Sequence, residues 1–251
     1  KESIILTTIL PLGTEQAWES KYRFTENLND YTEPALDTNG RNWKELNYDD
    51  SNWPTLTGPM VGGYSYPIVN FEWAGIDNCF ELRRKFHLDS TPQGIFTFSV
   101  RHDDAVWVYL NGVLVMSETN WTTSFEKYQI PTEAFVQGEN ILAIHTEQYL
   151  GDTFLDYTLY NEKLPEIYTD DQGVKYQTVN GSSMVSVIGH GKVYKKDIVI
   201  TDEVMGYVVT GISSGAFADV DDITSVTMLL ERPYAIPEDA FSESVYQNAA
   251  L

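Results

Sequence analysis

The sequence predicts an all-β-dominated fold: an antiparallel β-sandwich followed by a smaller β module. Three observations predict it. Segments from Cys79 onward alternate apolar and polar residues with the period of two that a half-buried strand shows. An Asn-Gly pair, Asn111-Gly112, sits between two apolar runs, the strongest short-range hairpin signal. Helical periodicity is almost absent between the many turn-rich connections.

The first 70 residues read as short strands and long loops, with turn-rich stretches at Asp37–Trp43 and Tyr48–Pro54. Thr14–Trp18 suits either a brief helix or a strand. In "CFELRRKFHL", Phe80 and Leu82 fall on one face and Glu81 and Arg83 on the other. Gly94–Val100 alternates less cleanly. Asp104–Leu110 is apolar on both faces, which argues for a central strand, with Trp107 in the core. A type I′ turn at Asn111-Gly112 then leads into Val113–Met116, because both of its central residues need positive φ. Gly138–Gln148 sets Ile141, Ala143 and His145 opposite Leu142, Ile144 and Thr146, and Phe154–Tyr160 is the next strand.

Composition shifts over Asn161–Gln177, where Pro165, an acidic pair and Gly173 suggest a linker. The first domain is therefore 1–170 and the second 171–251. The second carries a weak repeat: Ile212, Ala216 and Phe217 return as Ile236, Ala240 and Phe241 at an offset of 24 residues. Ile188 sits one period upstream without the Ala-Phe pair. Periods of about 20–29 residues belong to leucine-rich-type solenoids, in which Ile, Ala and Phe fill the stacked core and Asp222–Met228 would supply a strand. Small helical turns are expected at Ala216-Phe217 and Ala240-Phe241. Two clear units are few for a stable stack, so the C-terminus reads as a cap on the first domain or a truncation. Lys1 in place of Met suggests a processed or trimmed chain.

Among 251 residues, 42% are apolar and 13% aromatic, enough for a sizeable core. A net charge of −21 argues against nucleic acid and anionic membranes, which need clustered Lys and Arg. No segment has the apolar length of a membrane span, and no signal peptide is visible. Cys79 is the sole cysteine, which excludes an internal disulfide and is read as excluding a cysteine-based zinc site.

Two stretches carry resemblances. "WKELNYDDSNWP", "FELRRKFHLD", "RHDDAVWVYLNGVLV" and "GENILAIHTEQ" make Trp43–Tyr160 resemble the galactose-binding-like jelly roll that precedes the catalytic barrel of family 2 glycoside hydrolases. Val208–Leu251 resembles the BspA-like leucine-rich repeats of bacterial surface proteins, where Ile-x-x-x-Ala-Phe precedes a Thr-Ser-Val strand. The resemblances imply a jelly-roll sandwich and a small leucine-rich-repeat-like module in a secreted or surface-displayed bacterial protein. In that hydrolase family the catalytic carboxylates lie on a separate barrel. The expected function is therefore non-catalytic: carbohydrate binding or adhesion, with a glycan or a host or bacterial surface protein as partner. The alternatives are a protein–protein module with no small ligand and an accessory fragment of a glycoside hydrolase.

No nucleophile elbow, His-Glu-x-x-His or phosphate loop is present. His87, His102, His145 and His190 are scattered and read as structural or surface residues. Asp103 and Asp104 keep three readings. As scaffold, a carboxylate accepts hydrogen bonds at the strand entrance from backbone, Arg101, Arg83 or Arg84. As a sugar site, Arg101, His102, Asp103 and Asp104 bond hydroxyls in a loop-end pocket. As calcium ligands, Asp103 and Asp104 join Asp152 or Asp156. Sugar binding also needs an aromatic platform against the apolar face of a pyranose. Trp73, Trp121, Trp43 and Tyr64 are the candidates, and Gly62-Gly63 with Tyr66-Pro67 suggests a tight loop nearby.

Overall fold

The computed structural model describes residues 3–229, 231 and 236–249. In chain order its first strands are β1 (Ile5–Leu10), β2 (Trp18–Thr25), β3 (Thr55–Gly58), β4 (Met60–Gly62), β5 (Phe71–Glu72) and β6 (Asn78–Leu88). They are followed by β7 (Ile95–Asp103), β8 (Ala105–Leu110), β9 (Val113–Glu118), β10 (Glu126–Ile130), β11 (Gly138–Gln148) and β12 (Thr153–Lys163). Two six-stranded sheets result: β10-β7-β12-β4-β5 with β1 also on β12, and β3-β2-β6-β11-β8-β9. Thr14–Trp18 is a turn that opens into β2.

Period-two alternation decides which side chains fill the space between the sheets. Leu142 and Ile144 of β11 pair across the ladder with Arg84 and Leu82 of β6 and with Leu110 and Val108 of β8. Leu82, Val108, Leu110, Leu142 and Ile144 belong to one buried cluster with Phe96, Phe98, Leu155, Tyr157 and Leu159 of the facing sheet. Each such side chain contributes roughly 1.5–3 kcal/mol by leaving water. Trp107 points to the other face and is only partly buried, contrary to its expected core position; β8 lies one strand in from the sheet edge, between β11 and β9. Asn111 (φ 49°) and Gly112 (φ 89°) both take the left-handed backbone that a type I′ turn requires.

Only the start of the outer face of β6 is covered, since Lys85 and His87 further along it are exposed. Glu81 and Arg83 are buried. Arg83 Nε pairs with Asp50 at 2.7 Å, and Arg83 also donates to the carbonyls of Trp43 and Glu45. The long connection between β2 and β3 therefore lies over this face, held by hydrogen bonds to a strand residue.

The remaining elements are β13 (Ile167–Thr169), β14 (Val174–Thr178), β15 (Met184–His190), β16 (Asp197–Thr201), β17 (Glu203–Val204), β18 (Tyr207–Ile212), β19 (Ser225–Leu229) and α1 (Glu243–Asn248). Contacts divide the chain at Asn161/Glu162, and Gln93–Ile95 and the described residues of 1–6 group with the second unit. That unit mixes strand directions. β15 pairs β18 in parallel with Met184 opposite Val208 and Val185 opposite Val209, and β16 pairs β19 in parallel. Phe217 and Phe241 form a further parallel bridge. The same backbone turn precedes both: Ala216 N donates to Ser213 O, and Ala240 N to Pro237 O. Ile212, Ala216, Phe217, Ala240 and Phe241 are buried together, whereas Ile236 is exposed. Ala235, which precedes the second copy of the motif, and Leu251 lie outside the described residues.

Candidate functional site

β7 ends at Asp103, and the chain turns into β8 at Ala105 through a cis Asp103–Asp104 peptide bond. The turn is fastened on several sides. Asp104 N donates to Glu147 O at 3.2 Å, and its carboxylate accepts Tyr149 N at 2.7 Å and Leu150 N at 3.2 Å. His102 lies beneath it, fully buried, with Nδ1 2.7 Å from the Asp104 carbonyl. His102 N and O exchange hydrogen bonds with Thr122, which anchors the far end of the Thr119–Trp121 loop. These contacts bring three loops together around a cleft of about 490 Å³ lined by Tyr64, Asp103, Asp104, Thr119, Asn120, Trp121, Tyr149, Leu150 and Asp152.

Trp121 is 57% exposed, so its indole is free to take a ligand face. Asp103 is buried at the cleft wall and accepts the Tyr64 hydroxyl at 2.7 Å. Burial, and then the charges of Asp104 and Asp152, push the Asp103 carboxyl up to about 6 against the opposing hydrogen bond from Tyr64. The Tyr64 phenol is raised in turn, first by its bond to Asp103 and then by burial. Asp152 is packed tightly against Gly63: a Cβ there would lie 1.9 Å from Asp152 Oδ1, and Gly63 has φ +79°. Only glycine suits that position.

Of the residues expected to bind a ligand, the structure brings Trp121, Tyr64, Asp103 and Asp104 to one cleft, with Asp152 beside them. Four others serve the scaffold. Arg101 sits over the rings of Phe154 at 4.2 Å and Tyr64 at 4.8 Å, an arrangement that supports the wall from behind. His102 faces inward, and its burial holds the imidazole below its ordinary pKa. Trp73 is 1% exposed, edge-on to Phe80, with Nε1 donating to Asn78 Oδ1 at 2.8 Å. Trp43 is equally buried against Trp53 and Tyr109, with Nε1 on Glu33. Loop position in sequence does not separate an exposed indole from one whose N–H has found an internal partner.

Of the calcium candidates, Asp103, Asp104 and Asp152 line the same cleft without bringing three ligand atoms within 4.8 Å of one another, and Asp156 is engaged elsewhere. Asp156 is fully buried, and its Oδ1 accepts Gly13 N, Trp18 Nε1 and Tyr157 N at 2.9–3.0 Å while Oδ2 accepts Tyr66 OH at 3.2 Å. It is a hub that joins four segments. Among the described residues, the group of three His/Cys/Asp/Glu side chains whose ligand atoms all lie within 4.8 Å of one another is Cys79, Glu81 and His145. The sequence reading missed Tyr149, Leu150, Thr119 and Asn120 in the cleft. Tyr149 and Leu150 could have been found only through their pairing with Asp104, which is a long-range contact.

A second cleft of about 630 Å³ runs along β2, β3 and β6 and includes Lys21, Arg83, Arg84 and Lys85. Its aromatic, Trp18, is buried and presents no stacking face.

No family model matches the chain, and no curated protein matches it. Solved structures do. The β-glucuronidase of Bifidobacterium dentium, complexed with coumarin-3-O-glucuronide, is 14% identical over 67% of this chain and 31% of its own, with a TM-score of 0.42. A β-glucuronidase from Ruminococcus gnavus, in complex with uronic deoxynojirimycin, is 13% identical over 72% of this chain and 32% of its own, TM-score 0.42. A glycosyl hydrolase family 2 member from Bacteroides cellulosilyticus is 17% identical over 67% and 23%, TM-score 0.39. The chain thus spans about a third or less of each of these proteins.

Proposed function

We propose that the protein is a non-catalytic carbohydrate-binding or adhesion protein of a bacterial surface or secreted system, and that the Trp121 cleft holds the sugar. The observation that carries this reading is the exposed Trp121 indole in the same cleft as Asp103, Asp104, Asn120 and Tyr64. An aromatic face stacks on the apolar side of a pyranose while carboxylates and amides take its hydroxyls. Three aspartates in the cleft disfavour an anionic ligand, so the sugar is neutral or amine-bearing rather than a uronate or sialate. The sequence resemblance to a sugar-binding jelly roll agrees with this. For the second unit, the 24-residue spacing of the Ala-Phe motif and the parallel Phe217–Phe241 bridge support a leucine-rich-repeat-like module that serves as an interaction surface or cap.

The test is a glycan-array screen of the intact protein, run with calcium and with a chelator. Binding to neutral glycans that is lost in Trp121→Ala and kept in Trp43→Phe is the expected result, and a chelator effect would add a metal. Silence of a folded protein across a broad array would move the reading to protein–protein contact, for which exposed Leu150 beside Trp121 would supply the apolar centre. One observation favours a second reading. Asp103, with its carboxyl near 6, stands close to the charges of Asp104 and Asp152, an unequal arrangement of carboxyls suited to acid–base work. Turnover of aryl glycosides that disappears in Asp103→Asn would establish a hydrolase fragment instead.

A further inference from the structure

Strand register assembles a second group of side chains on the outer face of the β2-β6-β11 ladder. Glu81 of β6 stands directly between Arg23 of β2 and His145 of β11, and Cys79 stands between Thr25 and Glu147 in the next row of that face. Cys79 and Glu81 are two residues apart, so they share a face, as do His145 and Glu147. The ring of Tyr31 covers His145 at 4.8 Å.

Glu81 is fully buried, and neither of its carboxylate oxygens has a hydrogen-bond partner. The nearest cationic groups are His145 Nδ1 at 3.4 Å and Arg23 Nη1 at 3.9 Å. His145 Nδ1 also lacks a hydrogen-bond partner, although the residue is only 7% exposed. A buried carboxylate and a buried ring nitrogen left this way are costly unless something else fills the space between them. The other side of the imidazole is occupied: Nε2 lies 2.9 Å from Glu147 Oε1, and Glu147 accepts the Tyr149 hydroxyl as well. A carboxylate that accepts the Nε2 hydrogen bond orients the ring with Nδ1 toward Glu81, and once the imidazole is neutral the Nδ1 lone pair is available to an ion there, the outer-shell pattern of histidines that ligate metals.

We infer that Cys79 Sγ, His145 Nδ1 and a Glu81 carboxylate oxygen bind a divalent cation of the zinc class, with water in the fourth position. The ligand atoms already lie within 4.8 Å of one another. Two nitrogen or oxygen ligands at about 2.0–2.2 Å on one tetrahedral ion are about 3.4 Å apart, and the observed His145–Glu81 separation is 3.4 Å. Thiolate and imidazole select zinc over calcium or magnesium, which require all-oxygen shells. Thiolate and carboxylate together neutralise the ion, which suits a buried site. Binding transfers the Cys79 thiol proton to buffer and changes no oxidation state. A single cysteine is enough for such a site where strand pairing supplies the other ligands.

The experiment uses the whole protein after treatment with a chelator, titrated with Zn²⁺ against a chromophoric competitor and separately with Co²⁺. One equivalent of either ion is expected. Bound cobalt should show tetrahedral absorption and a thiolate-to-metal charge-transfer band, and that spectrum decides without any variant. Cys79→Ser should abolish the charge-transfer band, and both it and His145→Gln should weaken Zn²⁺ binding at least tenfold. Absence of stoichiometric binding, cobalt bound without the sulfur band, or equal affinity in folded Cys79→Ser and His145→Gln would each overturn the proposal.

Discussion

Phe217 and Phe241 lie face to face, with ring centroids 5.3 Å apart and planes 6° from parallel, and their backbones form a parallel bridge. Both are buried in the core of the second unit. Phe217→Ala should therefore cost about 3–5 kcal/mol, read as a drop in the denaturant midpoint. Because the rings touch, the double variant with Phe241→Ala should lose less than the sum of the singles. Val193→Ala, at a highly exposed position, should stay within about 0.5 kcal/mol of the parent.

Two of the three tryptophans first considered as platforms, Trp73 and Trp121, should separate completely. Trp73→Ala removes a core ring and strands the Asn78 amide, so a loss of about 3–5 kcal/mol is expected. Trp121→Ala should leave stability within about 0.5 kcal/mol while removing ligand binding. Equal melting temperatures for the two variants would contradict the burial described above.

Asp103 should give the protein a pH-dependent component of stability. Its folded carboxyl is raised to about 6, so the folded state holds a proton that the unfolded chain has released. Stability from this group falls as pH rises from about 4 to about 6 and is level above that. Asp103→Asn keeps an oxygen for the Tyr64 hydroxyl and carries no charge. The stability of the variant relative to the parent should rise across that window, measured as urea midpoints at several pH values. Parallel curves would refute the assignment.

Asp156 joins Gly13, Trp18, Tyr66 and its own strand through one carboxylate. Asp156→Ala leaves buried donors without an acceptor, at about 1–3 kcal/mol each and not additively. A total loss of at least about 3 kcal/mol is expected in equilibrium unfolding. A loss no larger than that of an exposed aspartate such as Asp89 would remove its role as a hub.

Much of the sandwich was legible because period-two alternation reports burial directly. Phe80, Leu82, Leu142 and Ile144 point inward as the pattern required, and the Asn111-Gly112 hairpin formed where both residues could take positive φ. What alternation does not report is a second covering layer. Glu81 and Arg83 read as the outer, polar face of a strand, and they are outer, but the connection carrying Trp43 and Asp50 buries them. The cleft was half legible for the same reason. Asp103, Asp104, Tyr64 and Trp121 are polar or aromatic at strand ends, which sequence shows. Tyr149 and Leu150 join them only through hydrogen bonds that span more than 40 residues.

The hairpin turn has one more consequence. An asparagine followed by glycine is the dipeptide most prone to deamidate, since the unhindered glycine nitrogen can attack the side-chain carbonyl. Here the Asn111 amide is held at both ends: Nδ2 donates to Ala134 O and Asn140 Oδ1, and Oδ1 accepts Ile141 N. Cyclisation requires that side chain to swing free of all three. The fold thus shelters one of its three Asn-Gly linkages, the others being the exposed Asn39-Gly40 and Asn180-Gly181, and isoaspartate at position 111, followed by mass spectrometry in stored protein, should accumulate only with the time that β8, β9 and β11 spend apart.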